Sequence, residues 1–149
     1  MEKFSVLLVE DNEGDIILTK KALESSRYIG ELITQRNGQD AIDYLEKVLS
    51  GDDQKLPDII LLDINLTKKN GHEVLQYIKT HDKLKHLLVL MLTTSSAEKD
   101  ILASYQNHAN CFISKPIEID QFMDLINKVE EFWLNTVAIP NRKKSTTHG

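Results

Sequence analysis

The chain has 149 residues, 41% of them hydrophobic, which suits one ordinary domain with a core of its own. Its 18 Lys and Arg against 23 Asp and Glu leave a formal charge of −5, which argues against a general binder of nucleic acid or other polyanions. A lone cysteine, Cys111, excludes an internal disulfide and any multi-cysteine zinc or iron–sulfur site, and fits a reducing compartment.

The apolar runs at residues 59–62 and 87–92 are too short to cross a bilayer, and Met1-Glu2-Lys3-Phe4 opens no secretory signal. A cytoplasmic protein without membrane contact is expected.

In chain order, Ser5-Val6-Leu7-Leu8-Val9 is a short apolar run that stops at Glu10-Asp11-Asn12. Residues 14–26 carry Ile17, Leu18, Ala22 and Leu23 in a helical pattern. Residues 31–35 are shorter and more polar, as an edge strand would be. Ala41, Ile42, Leu45, Val48 and Leu49 recur at helix spacing. A second apolar run, residues 58–62, stops at Asp63, and Val74, Leu75 and Ile78 mark the helix after it. A third run, residues 87–92, stops at Thr93-Thr94-Ser95-Ser96. Ser95 and Glu98 predict a capping box for a helix that carries Ile101, Leu102 and Tyr105. Residues 110–114 are a weaker strand ending at Lys115-Pro116. A last helix over 118–135 carries Ile119, Phe122, Met123, Ile126, Val129, Phe132 and Trp133. Residues 143–147 read as a frayed polar tail.

Short continuous apolar runs suit strands buried on both faces. Their alternation with helices predicts an α/β fold, an open parallel sheet wound on both faces by right-handed crossovers. Sites in such sheets form beyond the carboxyl ends of the strands. That rule selects Glu10, Asp11, Asp63, Thr93, Thr94 and Lys115. Taken singly, each has a bland reading: a solvated turn, a helix cap, a strand end, a surface loop. Together they occupy successive strand ends on one edge. Clustered carboxylates repel, and a hard divalent cation such as Mg2+ relieves them. A carboxylate nucleophile, a hydroxyl, an ammonium and Mg2+ suit phosphoryl transfer.

Leu7-Leu8-Val9-Glu10-Asp11-Asn12, Leu61-Leu62-Asp63-Ile64-Asn65-Leu66, Gly71, Leu92-Thr93-Thr94 and Lys115-Pro116 resemble the receiver domain of two-component response regulators. The resemblance runs from about residue 3 to 133 and implies a flavodoxin-like doubly wound sheet of order 2-1-3-4-5. It implies that Asp63 is the phosphoacceptor, served by a sensor histidine kinase or a histidine phosphotransfer protein. Glu10, Asp11, Asp63 and the backbone carbonyl of Asn65 would hold Mg2+. Thr93 would be the switch hydroxyl, Lys115 the phosphoryl partner before a cis proline bond, and Phe112 the aromatic switch. Output would pass through the face made by the fourth helix, the fifth strand and the last helix. Such a protein is a signalling phosphoprotein rather than an enzyme.

Thr67 departs from the pattern, since many receivers have Pro there, so a differently shaped loop is expected. Residues 63–69, Asn110-Cys111-Phe112 and residues 131–137 further resemble stand-alone regulators paired with bacterial phytochrome-type kinases. Those tend to dimerise. Phe132, Trp133 and Val137 are the candidate dimer contact, although Phe132 and Trp133 would also serve to close the core. The receiver is expected over residues 3–136, with a tail over 137–149 and no output domain, so output would be a protein contact. Two other readings differ in class. A haloacid-dehalogenase-type phosphatase would also use Asp63, Thr93 and Lys115, but Asn65 stands where it needs a second acid. A phosphorylation-independent binding module would not need the full set.

Overall fold

The computed structural model describes residues 3–51, 55–93, 111–115, 118, 120–124 and 127. The elements are β1 (Phe4–Val9), α1 (Glu13–Glu24), β2 (Ile29–Gln35), α2 (Gly38–Leu49), β3 (Ile59–Asp63), α3 (Gly71–Thr80), β4 (Leu88–Thr93) and β5 (Cys111–Ser114). Helical residues follow at 120–124. The helix expected around 101–105, its Ser95–Glu98 cap, Pro116 and residues 128–149 lie outside the described residues.

The strands form one sheet of order β2-β1-β3-β4-β5, and every neighbouring pair is parallel. The expected doubly wound α/β fold is therefore present. Each strand falls within a residue or two of its expected place, and β2 is an edge strand. It starts two residues earlier than its polar composition suggested, because Phe4 N–H already donates to Tyr28 O at 2.7 Å.

The apolar runs are continuous because alternate residues serve different cores. Leu7, Val9, Ile60, Leu62, Val89 and Met91 face α2 and α3, meeting Ala41, Ile42, Leu45, Val74, Leu75 and Ile78. Val6, Leu8, Ile59, Leu61, Leu88, Leu90 and Leu92 face the opposite way, towards Ile16, Leu23 and Phe122. Burying a Leu or Ile side chain contributes about 1.5–3 kcal/mol, so both faces drive folding.

Asparagines start the helices. Asn12 accepts from Asp15 N–H at 2.9 Å, Asn37 from Asp40 N–H at 2.8 Å, and Asn70 from Glu73 N–H at 2.9 Å. The Glu73 side chain returns a bond from Asn70 N–H at 2.9 Å, which completes a capping box. Each such cap is worth about 1 kcal/mol. Asn37 explains why α2 starts three residues before its first apolar position.

The chain leaves β1 for β2 on one side, then crosses back to β3 on the other. The winding reverses between β1 and β3, which opens a crevice at their carboxyl ends.

Candidate functional site

The register places the strand ends on one level. Val9 pairs with Leu62, Asp63 with Leu92, and Thr93 with Ser114. Backbone bonds carry the ladder one step further. Glu10 N–H donates to Gln35 O at 3.0 Å, Ile64 N–H to Leu92 O at 3.2 Å, and Lys115 N–H to Thr93 O at 2.7 Å. Glu10, Asp63, Thr93 and Lys115 are thus fixed by sheet geometry rather than by loop conformation.

Burial is unusual for such polar side chains. Glu10 is 0%, Asp63 3% and Thr93 5% exposed. Asp11 is more open to solvent. One oxygen from each of Glu10, Asp11 and Asp63 lies within 4.8 Å of the others.

The Lys115 ammonium sits among carboxylates. It donates to Asp63 Oδ2 at 3.2 Å and to Asp15 Oδ2 at 2.9 Å, and it lies 2.9 Å from Glu10 Oε1. The contact with Glu10 is an ion pair without hydrogen-bond alignment, so this buried oxygen keeps a lone pair uncommitted. Glu10 Oε2 accepts from Asn12 N–H at 3.3 Å, and Asp63 Oδ1 from Asn65 N–H at 3.2 Å.

Four carboxylates around one ammonium leave the cluster strongly negative. Burial, helped by the neighbouring Asp63, pushes the Glu10 carboxyl up from 4.5 to about 7 despite the pull of Lys115. For Lys115, burial works to lower the ammonium, but Glu10, Asp15 and Asp63 outweigh it and hold the group above its ordinary range. A hard divalent cation fits this donor set. The ligands are all oxygen, one buried oxygen lacks a hydrogen bond, and the charge calls for neutralisation.

Of the expected residues, Glu10, Asp11, Asp63 and Lys115 come together, with Thr93 at the end of the adjoining strand. Asn65 is exposed in the loop past Asp63, bound to it through its N–H. Phe112 is half-buried and packs on the core facing α2 and α3. Phe132, Trp133 and Val137 lie outside the described residues.

Asp15 was not anticipated. It lies one helical turn beyond Asp11, and the Asn12 cap points α1 so that Asp15 reaches Lys115. Reading Asn12 as the cap would have found it.

The loop after Asp63, where Thr67 stands, is pinned by backbone bonds to the start of α2. Gly38 N–H donates to Thr67 O at 3.2 Å and Gln39 N–H to Lys68 O at 2.7 Å. Lys68 and Lys69 both take left-handed backbone angles, φ 45° and 73°, to present these carbonyls to the start of α2. Gly71 packs against the same loop so closely that a Cβ there would collide with Asp63 O.

Residues 6–127 match the family model described as the response regulator receiver domain. The chain is 40% identical over 135 residues to response regulator Rcp1 of Synechocystis sp., covering 91% of this chain and 92% of that protein. A solved structure of Rcp1 in its Mn2+-bound form superposes with a TM-score of 0.71 at 39% identity, covering 92% and 99% of the two chains. The phosphorylated cyanobacterial phytochrome response regulator RcpA gives 0.74 at 42% identity, covering 93% and 99%. The bacteriophytochrome response regulator AtBRR gives 0.77 at 40% identity, covering 89% and 96%. No helix among the described residues is long and apolar enough to cross a membrane.

Proposed function

The chain belongs to the response regulator receiver family, and on that premise we propose that Asp63 is its phosphoacceptor, with Glu10 and Asp11 as partners in holding Mg2+. The observation that carries this is the convergence of three carboxylates, two of them buried, with the Lys115 ammonium at the carboxyl ends of β1 and β3. The protein is a signalling phosphoacceptor, and a histidine kinase or a histidine phosphotransfer protein supplies the phosphoryl group. Similarity to Rcp1, RcpA and AtBRR supports a phytochrome-type kinase as the donor.

An Asp63 carboxylate oxygen attacks phosphorus of the donor phosphohistidine. The O–P bond forms as the P–N bond breaks, and its electron pair leaves on the imidazole nitrogen. Asp63 then carries an acyl phosphate. Glu10, Asp11, Asp63 and the Asn65 carbonyl would hold Mg2+, which would supply neutralisation of the phosphoryl oxygens. Lys115 is already bonded to Asp63 and turns to the new oxygens. The Asn65 N–H holds Asp63 Oδ1 and orients the carboxylate for attack.

The new group adds about −1.5 to −2 charge. Thr93, one residue past the position that pairs with Asp63, donates its hydroxyl to it. Movement of Thr93 opens space for Phe112 in β5, and the face around β5 becomes the output surface for a downstream protein. The switch is a population shift, which takes about 5.5 kcal/mol to run from 1:99 to 99:1. We extend the proposal to Phe132, Trp133 and Val137 as a contact between two copies. Trp133→Ala with Val137→Asp then gives a monomer by light scattering, and an unchanged mass rejects the contact. The assignments of a cytoplasmic location, of residues 3–136 as the receiver and of 137–149 as its tail belong to the same reading.

Exposure to a small-molecule phosphodonor with Mg2+ tests the central claim. The chain gains one acid-labile phosphoryl group by intact mass, and Asp63→Asn gains none. Labelling of Asp63→Asn at the wild-type level rejects Asp63. Turnover of a phosphomonoester would favour the phosphatase reading instead.

A further inference from the structure

Lys115 has three carboxylate neighbours, and two of them belong to the proposed metal set. Glu10 and Asp63 each place an oxygen in the group of three with Asp11. Asp15 is outside that group. Its Oδ2 nevertheless lies 2.9 Å from the Lys115 ammonium, closer than Asp63 Oδ2 at 3.2 Å.

The place of Asp15 is built into α1. Asn12 accepts from Asp15 N–H at 2.9 Å, and the next residue, Ile16, is 1% exposed in the core. The helix cannot turn to withdraw this carboxylate without uncovering Ile16. Lys115 is anchored independently. Its N–H donates to Thr93 O at 2.7 Å, and Glu10 and Asp63 hold its ammonium at the strand ends without help from α1. Asp15 is therefore not needed to bring Lys115 to the site.

An ammonium has three protons to give. In the unphosphorylated chain three carboxylates surround them, and a phosphoryl oxygen on Asp63 needs one. Once Glu10 and Asp63 turn oxygens to the cation proposed for them, Asp15 is the carboxylate among the described residues that still answers Lys115 alone. It draws the ammonium towards the first turn of α1. The phosphoryl group draws it towards the end of β3.

We propose that Asp15 is a positioning residue that competes with the phosphoryl group for the Lys115 ammonium and so makes the phosphorylated state less stable. The inference deepens the reading of Asp63 as phosphoacceptor and rests on it. A neutral amide at position 15 keeps the shape of the side chain but binds an ammonium more weakly than a carboxylate does, and Lys115 then passes more completely to the phosphoryl oxygens. The Asp15 side chain is 32% exposed, so water screens the competition and the effect is moderate.

Beryllofluoride is the probe, titrated into the full chain with Mg2+ in excess and read by fluorine NMR. A carboxylate oxygen completes the beryllium tetrahedron, and the three fluorines stand in for phosphoryl oxygens. Binding to wild type, and its loss in Asp63→Asn, test the phosphoacceptor reading separately; if either fails, that reading falls and the proposal with it. For the proposal itself, Asp15→Asn should tighten binding threefold or more and shift the bound fluorine signal as the ammonium moves closer. Asp15→Glu restores the charge and should return the affinity to within twofold of wild type. Glu13→Gln removes an equal charge from the same turn of α1, but Glu13 pairs with Arg36, so it should change binding by less than twofold. Unchanged or weaker binding by Asp15→Asn overturns the proposal, because Asp15 would then be a brace for Lys115 and not a rival. Equal tightening by Glu13→Gln overturns it too, because charge alone would then account for the effect.

Discussion

The Lys115 ammonium is shared between Asp63 Oδ2 at 3.2 Å and Asp15 Oδ2 at 2.9 Å. One of these carboxylates is proposed to react, and the other to compete for the ammonium. The two roles separate by experiment. Asp11→Asn removes an oxygen from the cluster of three and should lower Mg2+ affinity more than tenfold. Asp15→Asn lies outside that cluster and should change it by fivefold or less, through charge alone. Titration calorimetry with Mg2+ reads both. Equal losses would make Asp15 a ligand.

Glu10 gives the pH dependence. Its folded value is raised from 4.5 to about 7, so between these values the folded chain holds the proton more often than the unfolded chain. Stability of the metal-free protein therefore falls as pH rises through this window, by about 3 kcal/mol at most. With Glu10 as the proposed ligand, Mg2+ would take the place of the proton. The rise in Tm on adding Mg2+ should be larger at pH 7.5 than at pH 5.5, and Glu10→Gln should flatten the metal-free profile. A Tm gain independent of pH between these values would argue against Glu10 as a ligand.

Gly71 lets α3 start against the backbone of Asp63. Its N–H donates to Ile64 O at 3.0 Å, and an added Cβ would meet Asp63 O and the Ile64 Cα. Backbone yields less readily than a side-chain tip. Gly71→Ala should cost about 1–3 kcal/mol by overpacking and should also weaken Mg2+ binding, because Asp63 moves with its carbonyl. Loss of stability by thermal melt with unchanged Mg2+ affinity would show that the strain is absorbed on the α3 side.

Phe112 is half-buried against the core that faces α2 and α3. Phe112→Ala should leave the yield of acyl phosphate within twofold of wild type while removing the phosphate-dependent change in the NMR spectrum around β5. A wild-type spectral response would remove Phe112 from the switch.

The sheet and its active edge could be read from residues because the signal is strong there. Leu7-Leu8-Val9 and Ile59-Ile60-Leu61-Leu62 are apolar without interruption and then stop at acids, the pattern of a doubly covered parallel strand. Helix starts were harder to place. The asparagines at 12, 37 and 70 act through single side-chain bonds that leave no periodic trace. Asp15 was hidden for the same reason, since its importance depends on the angle at which α1 leaves Asn12. The hold of α2 on the loop after Asp63 is made of backbone bonds from Gly38 and Gln39, and no side-chain pattern encodes it. The strand order came from resemblance, since alternation alone leaves several orders open.

A sheet that is greasy on both sides has a hidden ambiguity. Sliding one strand by a single position would exchange its two faces, yet both would still meet oil. Hydrophobicity alone thus does little to penalise misalignment among β1, β3 and β4. What breaks the tie is the row of polar groups where the strands stop. Glu10, Asp63 and Thr93 belong at the rim, and a slipped strand would drag one of them into the hydrocarbon interior or lift an aliphatic residue into the acidic crevice. The signalling apparatus is therefore also the ruler by which the folding chain measures its own alignment.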